Sequence, residues 1–283
     1  MAPHPMRVGV IGLGAMGSAM AARLAATGDR PAGFDLDAGR LAAATVTAAA
    51  DAVALCGGAD LVLLSLPTEA AVAAAGEIFV CGSAPGAILV DTSTVGPEAA
   101  RALAARVAAA GRHMLDAPVS GGPTGAAAGT MAMMVGGDAE TLGKARPVLE
   151  RLATRIVHVG GAGAGCVAKL VNNAMVATHL LVAAEALRMA RLAGVDPASV
   201  LAAVNGASGR SAATEVNFQR WIFSGGFDSG FSAGLMRKDL SLAAALAGAD
   251  QPLLAAALAG WRNSGIADAE DFNRVAAERY QQP

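Results

Sequence analysis

The stretch GCVAKLVNNAM, residues 165–175, places Lys169 four residues before Asn173 and three before Asn172 in an otherwise apolar, helix-like run. Residues i and i+4 of a helix lie on one face, about 6 Å apart along the axis. Lys169 and Asn173 therefore share a stripe that could hold a polar substrate group and move a proton to or from it. A lysine has an ordinary pKa near ~10.4, so burial and a neighbouring cation would have to favour its neutral form for it to act as a base at neutral pH. The same residues also fit a lysine that snorkels from a surface helix with its amides in water. The rest of the chain must decide.

A second constellation lies near the start. RVGVIGLGAMGSAMAARLAATG runs from an apolar strand through Gly12, Gly14 and Gly17 into an alanine-rich helix. This is G-x-G-x-x-G between strand and helix. Gly12 serves the sharp turn, Gly14 the close approach of backbone to a pyrophosphate, and Gly17 the packing of helix on strand. The N–H groups of Leu13, Gly14, Ala15 and Met16 are then expected to face phosphate at the positive end of the helix. Asp35, at the end of PAGFD, lies eighteen residues beyond Gly17. That is close to the ~20 expected of a carboxylate that binds the adenosine ribose hydroxyls of NAD and repels a 2′-phosphate. NAD is favoured, with NADP as the alternative because Arg40 follows shortly and can reach a phosphate. Asp35 also fits an ordinary surface turn.

These residues need a scaffold, and the first half of the chain reads as one. ADLVLLSLP, GAILVDTST and GRHMLDAPV are apolar runs of the kind found in parallel strands buried on both faces, separated by alanine-rich helices. In such a sheet the ligand lies beyond the carboxyl ends of the strands. This singles out Leu66 and Pro67, then Thr92 to Thr94, then Ser120, Gly121 and Gly122. The last three could cradle an anion with one hydroxyl and backbone N–H groups, or could form a plain loop. After RIVHVG, the glycines of GAGAG at 161–165 mark a boundary. From Cys166 onward only helices are expected: a long one from about 166 to 193, then Val195–Val204, Leu240–Leu246 and Leu253–Trp261.

Composition agrees with a compact two-domain protein. The 283 residues are 54% hydrophobic and 16% charged, with a net charge of −2. Lysines and arginines are scattered singly, which argues against nucleic acid or an anionic membrane as partner. The LLVAAEALRMA run is interrupted by Glu185 and Arg188, well short of the ~18 apolar residues of a membrane span. The N-terminal residues do not read as a signal peptide, so a cytoplasmic location is expected. Three cysteines without close pairing suit reduced thiols. Four histidines without ligand spacing give no reason to expect a metal.

Four segments in order, GLGAMG, DAPVSGG with the later AAAGT, GAGCVAKLVNN, and GFSAGLMRKDLSLA from Gly230, resemble the β-hydroxyacid dehydrogenases, in the 3-hydroxyisobutyrate dehydrogenase-like branch. The resemblance spans essentially the whole chain. It implies an α/β Rossmann domain with a doubly wound, mostly parallel sheet over residues 1–163. An all-helical domain for substrate binding and oligomerisation over 164–283 would follow, joined by a long interdomain helix. A homodimer or homotetramer acting on a small hydroxy acid is also implied. On the matching positions, Lys169 becomes the catalytic lysine and Asn173 the substrate-orienting asparagine. Ser120, Gly121 and Gly122 become the cradle for the substrate carboxylate. Leu66, Pro67 and Thr94 match cofactor contacts. Phe231 and Lys238 match a segment that closes over the cofactor, with Asp239 as an ion-pair partner.

The chain departs from the resemblance at SGRSAATE, where small residues follow Arg210 in place of a bulky aromatic. The implied substrates therefore extend from 3-hydroxyisobutyrate to L-serine, L-threonate, sulfolactaldehyde and tartronate semialdehyde. Rival readings are an imine reductase, which shares the architecture but usually lacks this lysine, and a non-catalytic dinucleotide-binding protein. A decarboxylating phosphogluconate dehydrogenase fits less well because such chains are much longer and need a cationic phosphate pocket.

Overall fold

The computed structural model describes residues 6–248 and 250–282, which divide into two compact units between Lys169 and Leu170. The first unit holds the strands β1 (Val8–Ile11), β2 (Ala32–Phe34), β3 (Thr47–Ala48), β4 (Leu61–Leu64), β5 (Ile88–Asp91), β6 (His113–Asp116), β7 (Val119–Ser120), β8 (Met131–Gly137) and β9 (Ala153–Gly160). They form one sheet in the order β3-β2-β1-β4-β5-β6-β8-β7, with β9 also paired to β8. Pairing is parallel from β3 through to β6. It turns antiparallel where β8 meets β6 and β7, and β8 and β9 are parallel again.

Every residue of β1, β4 and β5 is buried, as expected for strands covered on both sides. Successive side chains alternate between the two faces. Leu61 and Leu63 join Met20, Leu24 and Val148 in one core, supplied by the helices Ala15–Ala26, Gly122–Ala128 and Ala139–Leu149. Val62 and Leu64 join Leu55, Phe79 and Leu103 in the other, supplied by Ala52–Gly58, Glu69–Gly82 and Pro97–Ala109. Side-chain caps fix several helix starts: Asp51 accepts from Ala54 N at 2.7 Å, and Thr68 Oγ1 from Ala71 N at 3.2 Å.

The helix Ala164–Leu192 carries the chain into the second unit, which continues with Pro197–Asn205, a π-helix Ala213–Ile222, Ala233–Ala247, Pro252–Arg262 and Asn273–Gln281. Among the described residues this unit has no strand, only an isolated bridge between Ser232 and Asp271. Its core gathers round Trp261, which is fully buried, stacks on Phe272 and donates from Nε1 to Ala177 O at 3.2 Å. Arg237 ties down the turn after that tryptophan, donating to the carbonyls of Trp261 at 2.9 Å and Ile266 at 2.6 Å. The Ala164–Leu192 helix is long and apolar enough to cross a membrane by length and composition alone, but 44% of its most apolar window is buried inside the protein.

Several helices escape the sequence pattern, Ala139–Leu149 among them. Gly122–Ala128 is hidden by its glycines and proline, although Pro123 lies in the first turn, where its missing N–H costs nothing. Asn273–Gln281 is mostly polar and buries only Val275, Ala276, Ala277 and Asn273. The π-helix Ala213–Ile222 follows a wider repeat than the 3.6-residue period for which a helix is searched.

Candidate active site

The strand order reverses between β1 and β4, so the crevice for a ligand opens beyond their carboxyl ends. Register aligns Ile11, Leu64, Asp91 and Asp116 in one row, which puts Gly12, Ser65, Thr92 and Ala117 on the rim just past it. Leu66 and Pro67 follow the rim after β4, and Thr94 follows it after β5. The two loops are laced together: Leu66 N donates to Ser93 Oγ at 2.9 Å, Thr92 Oγ1 to Leu64 O at 2.6 Å, and Ser93 N to Asp91 Oδ1 at 3.0 Å.

The glycine fingerprint is required by packing. Gly12 has φ of +90°, and a Cβ on it would lie 2.3 Å from Ser65 O. A Cβ on Gly17 would lie 1.8 Å from Gly12 O, so the helix could not rest on the strand. A Cβ on Gly14 would meet nothing nearer than Arg40 Nη1 at 4.0 Å, so this position opens outward. Tight contact at the first and third glycines with space at the second fits a pyrophosphate approaching the loop.

Asp35 accepts from Leu13 N at 2.7 Å through Oδ2 and from Asp37 N at 2.8 Å through Oδ1. One part of the loop expectation is thereby corrected: the Leu13 N–H is committed to Asp35 and does not face a phosphate. Ser18 N already donates to Gly14 O at 2.9 Å. The helix starts at Ala15 with Gly14 as its cap, so the N–H groups of Gly14, Ala15, Met16 and Gly17 are the four left without an intrahelical acceptor. Arg40 forms an exposed pair with Asp37 at 3.6 Å.

Ser120 ends β7, paired with Ala132 of β8. Gly121 has φ of +124° and caps the Gly122–Ala128 helix. Gly121 is exposed, while Ser120 and Gly122 are half-buried. A hydroxyl and two backbone N–H groups are thus concentrated within three residues at the end of a strand.

Lys169 is 7% exposed and Asn173 3%. Burial of this depth removes the reading of Lys169 as a snorkelling surface residue. Within the second unit, Asn173 Nδ2 donates to Asp239 Oδ2 at 2.6 Å, and Asn172 Nδ2 donates to Asn173 Oδ1 at 3.0 Å. Lys238 Nζ lies 3.3 Å from Asp239 Oδ1. Asn173, Asp239 and Lys238 therefore form one cluster, while Phe231 packs edge-on against Phe272 with ring centroids 5.4 Å apart. Phe231 and Lys238 flank the start of the Ala233–Ala247 helix, which Ser232 caps by accepting from Leu235 N at 3.3 Å.

Three carboxylates are buried among the described residues, Asp91, Asp116 and Asp239, and the sequence pattern did not single out Asp91 at the end of β5. Asp239 was expected only as an ion-pair partner, not as the acceptor that orients Asn173. Asp116 was not singled out at all, and its signal was a charged residue closing the apolar run HMLD. Among the described residues, no group of three or more His, Cys, Asp and Glu could hold a metal ion.

Comparison with known proteins matches these features along the chain. Residues 7–160 match the NAD binding domain of 6-phosphogluconate dehydrogenase. Residues 163–276 match a domain described as NAD-binding of NADP-dependent 3-hydroxyisobutyrate dehydrogenase. The 3-hydroxyisobutyrate dehydrogenase of Pseudomonas aeruginosa is 39% identical, covering 95% of this chain and 96% of its own. An NAD-dependent L-serine dehydrogenase of the same organism is 39% identical over 84% of each chain. The structure of Mycobacterium tuberculosis 3-hydroxyisobutyrate dehydrogenase with L-serine superposes with a TM-score of 0.90 at 36% identity, covering 96% of this chain and 98% of the other. With its doubly wound sheet, glycine fingerprint and helical second unit, the chain belongs to the β-hydroxyacid dehydrogenase family, in the 3-hydroxyisobutyrate dehydrogenase-like branch, and is an NAD(P)-dependent dehydrogenase.

Proposed function

We propose that this enzyme interconverts a small β-hydroxy acid and its semialdehyde, with Lys169 as the proton-transfer group. The observation that carries the proposal is the buried pair Lys169 and Asn173, one helical turn apart. A lysine is kept out of water at some cost, and proton transfer gives it a use there.

In this reading the turn Gly12, Leu13, Gly14, Ala15, Met16, Gly17 holds the cofactor pyrophosphate, and Asp35 receives the ribose hydroxyls while bracing the turn. Leu66, Pro67 and Thr94 line the cofactor, and Phe231 and Lys238 cover it. Bound NAD, or NADP, supplies the hydride acceptor. Ser120 Oγ and the N–H groups of Gly121 and Gly122 hold the substrate carboxylate, and Asn173 orients the alcohol. As the C–H electron pair departs as hydride, neutral Lys169 takes the hydroxyl proton on Nζ and the carbonyl forms. In reduction the protonated Lys169 returns it. Residues 1–163 serve the cofactor, and residues 164–283 serve the substrate and a homodimeric or homotetrameric assembly in the cytosol.

The identities to a hydroxyisobutyrate and a serine dehydrogenase support the substrate class, a short acid bearing a hydroxymethyl group on the carbon next to the carboxylate. Initial rates with 3-hydroxyisobutyrate, L-serine and L-threonate, each with NAD and NADP, and with tartronate semialdehyde and the reduced cofactors, test it. At least one such acid is expected to react, and Lys169→Ala is expected to lower its kcat by about a hundredfold or more. No turnover across the set, or a Lys169→Ala variant with unchanged rate, removes the proposal.

A further inference from the structure

Asp116 closes β6 and is 2% exposed, a buried carboxylate for which hydride transfer has no evident use. Both its oxygens are engaged: Oδ1 accepts from Gly163 N at 2.8 Å, and Oδ2 from Cys166 N at 2.9 Å. The helix that carries Lys169 begins at Ala164, so these donors are the N–H of the capping residue and the N–H of the third helical residue. They are the two donors that a capping box satisfies from within its own segment.

A box within this segment cannot form. Gly163 has φ of +83°, and a Cβ on it would lie 2.9 Å from Pro97 O, which leaves no place for a serine, threonine or aspartate side chain. Position 166 is a cysteine, too short to reach back as a glutamate would. The sheet supplies the missing cap, and a carboxylate stands at the positive end of a 29-residue helix. The first turn is also seated without slack. A Cβ on Gly165 would lie 2.3 Å from Met134 O and 2.5 Å from Asp116 O, and one on Gly136 would lie 2.5 Å from Asp116 Oδ1.

Lys169 follows Cys166 by three residues, a rise of about 4.5 Å, and Ser120 follows Asp116 by four residues in DAPVSGG. One side chain thus joins the segment of the carboxylate cradle to the turn that precedes the lysine. We infer that Asp116 is a positioning residue for proton transfer: it clamps the first turn of the Lys169 helix to the sheet and sets the lysine against the Ser120–Gly122 segment. The inference rests on Lys169 being the proton-transfer group.

Asp116→Asn tests it, because an amide offers one acceptor oxygen where the carboxylate offers two. With 3-hydroxyisobutyrate or L-serine, kcat is expected to fall about 10- to 100-fold, the scale of an ångström-sized misplacement. NAD affinity by calorimetry should stay within about twofold, because the glycine turn is untouched. In a Lys169→Ala background, followed by single-turnover NADH formation with excess enzyme, the same substitution should add less than about a twofold loss, since its effect passes through the lysine. A merely structural role predicts equal losses in both backgrounds. Gly165→Ala displaces the same turn without altering charge and should reproduce the loss in kcat, and it decides the matter by the same criteria if Asp116→Asn does not fold. The inference is overturned by wild-type kcat in a folded variant, by equal losses with and without Lys169, or by kcat and NAD affinity falling together. Wild-type turnover in Lys169→Ala is a separate result, which removes the proton-transfer assignment itself.

Discussion

Asn173 and Asp239, 66 positions apart in the chain, are joined by a hydrogen bond of 2.6 Å between two almost fully buried side chains. The carboxylate oxygen must accept, so the asparagine presents its amide nitrogen to Asp239, and its Oδ1 accepts a hydrogen bond from Asn172 Nδ2. The orientation of the residue proposed to hold the substrate alcohol is thereby set by its neighbours. Asp239→Ala is expected to destabilise the protein by about 1.5–3 kcal/mol, the range for a lost hydrogen bond to a charged group, and to raise the substrate KM. Asp239→Asn keeps an acceptor and should do less of both. Urea unfolding with parallel kinetics compares the two variants.

Asp35 both braces the glycine turn through Leu13 N and stands at the end of β2, where a ribose would be read. Asp35→Ala should therefore weaken both cofactors, NAD more than NADP, and so narrow the preference between them. Asp35→Asn keeps one acceptor oxygen, enough for Leu13 N, and loses the second acceptor together with the charge that repels a 2′-phosphate, so it should narrow the preference with a smaller loss of NAD affinity. Dissociation constants for both cofactors on both variants separate the two roles.

Burial divides the thiols. Cys81 is exposed, and Cys56 and Cys166 are buried. Desolvation pushes the Cys56 thiol up to about 11. Burial first, and then the charges of Asp116 and Asp91, push that of Cys166 up further. The thiolate is the reactive form. Titration of the native protein with a disulfide reagent near about pH 8 should modify one thiol rapidly, and all three in denaturant.

Asp138 caps the Ala139–Leu149 helix, accepting from Thr141 N at 2.8 Å and Thr141 Oγ1 at 3.0 Å. These bonds, the backbone one foremost, hold its carboxyl below the usual range. A group with a depressed folded-state pKa contributes stability at neutral pH that is lost as pH falls through that value. Asp138→Asn remains a capping residue but has no proton to gain. Its stability should therefore decline less than that of the parent protein between about pH 5 and about pH 2, as read from urea midpoints.

Trp261 fills the centre of the helical unit and donates to Ala177 O. Trp261→Ala should cost about 3–5 kcal/mol, and Trp261→Phe less, since it keeps the ring stacked on Phe272 but leaves the carbonyl without this donor. Thermal melting of the two variants gives the order.

The central strands and the glycine turn were legible because their signals are local, whereas the two-residue strands β3 and β7 hold no apolar run to recognise. A doubly buried strand must be an apolar run, and the turn at Gly12, Gly14 and Gly17 places its demands within six residues. The lysine helix was legible in type and extent for the same reason. The Gly122–Ala128 and Asn273–Gln281 helices were not, because tertiary burial rather than an apolar stripe holds them. The π-helix Ala213–Ile222 escaped because its repeat differs from the one by which helices are recognised.

At the site, the sequence determined which residues are proposed to carry chemistry: Lys169 and Asn173 on one helical face, Asp35 after β2, and Ser120 with two glycines after a strand. Only the tertiary structure decided their state. Burial of Lys169, orientation of Asn173 by Asp239, commitment of Leu13 N to Asp35 and the cap of Asp116 on Gly163 and Cys166 all join residues from 22 to 66 positions apart or depend on what covers them. A hydrogen bond between distant segments leaves no periodicity in either one, so its partner appears only when the chain has brought both together.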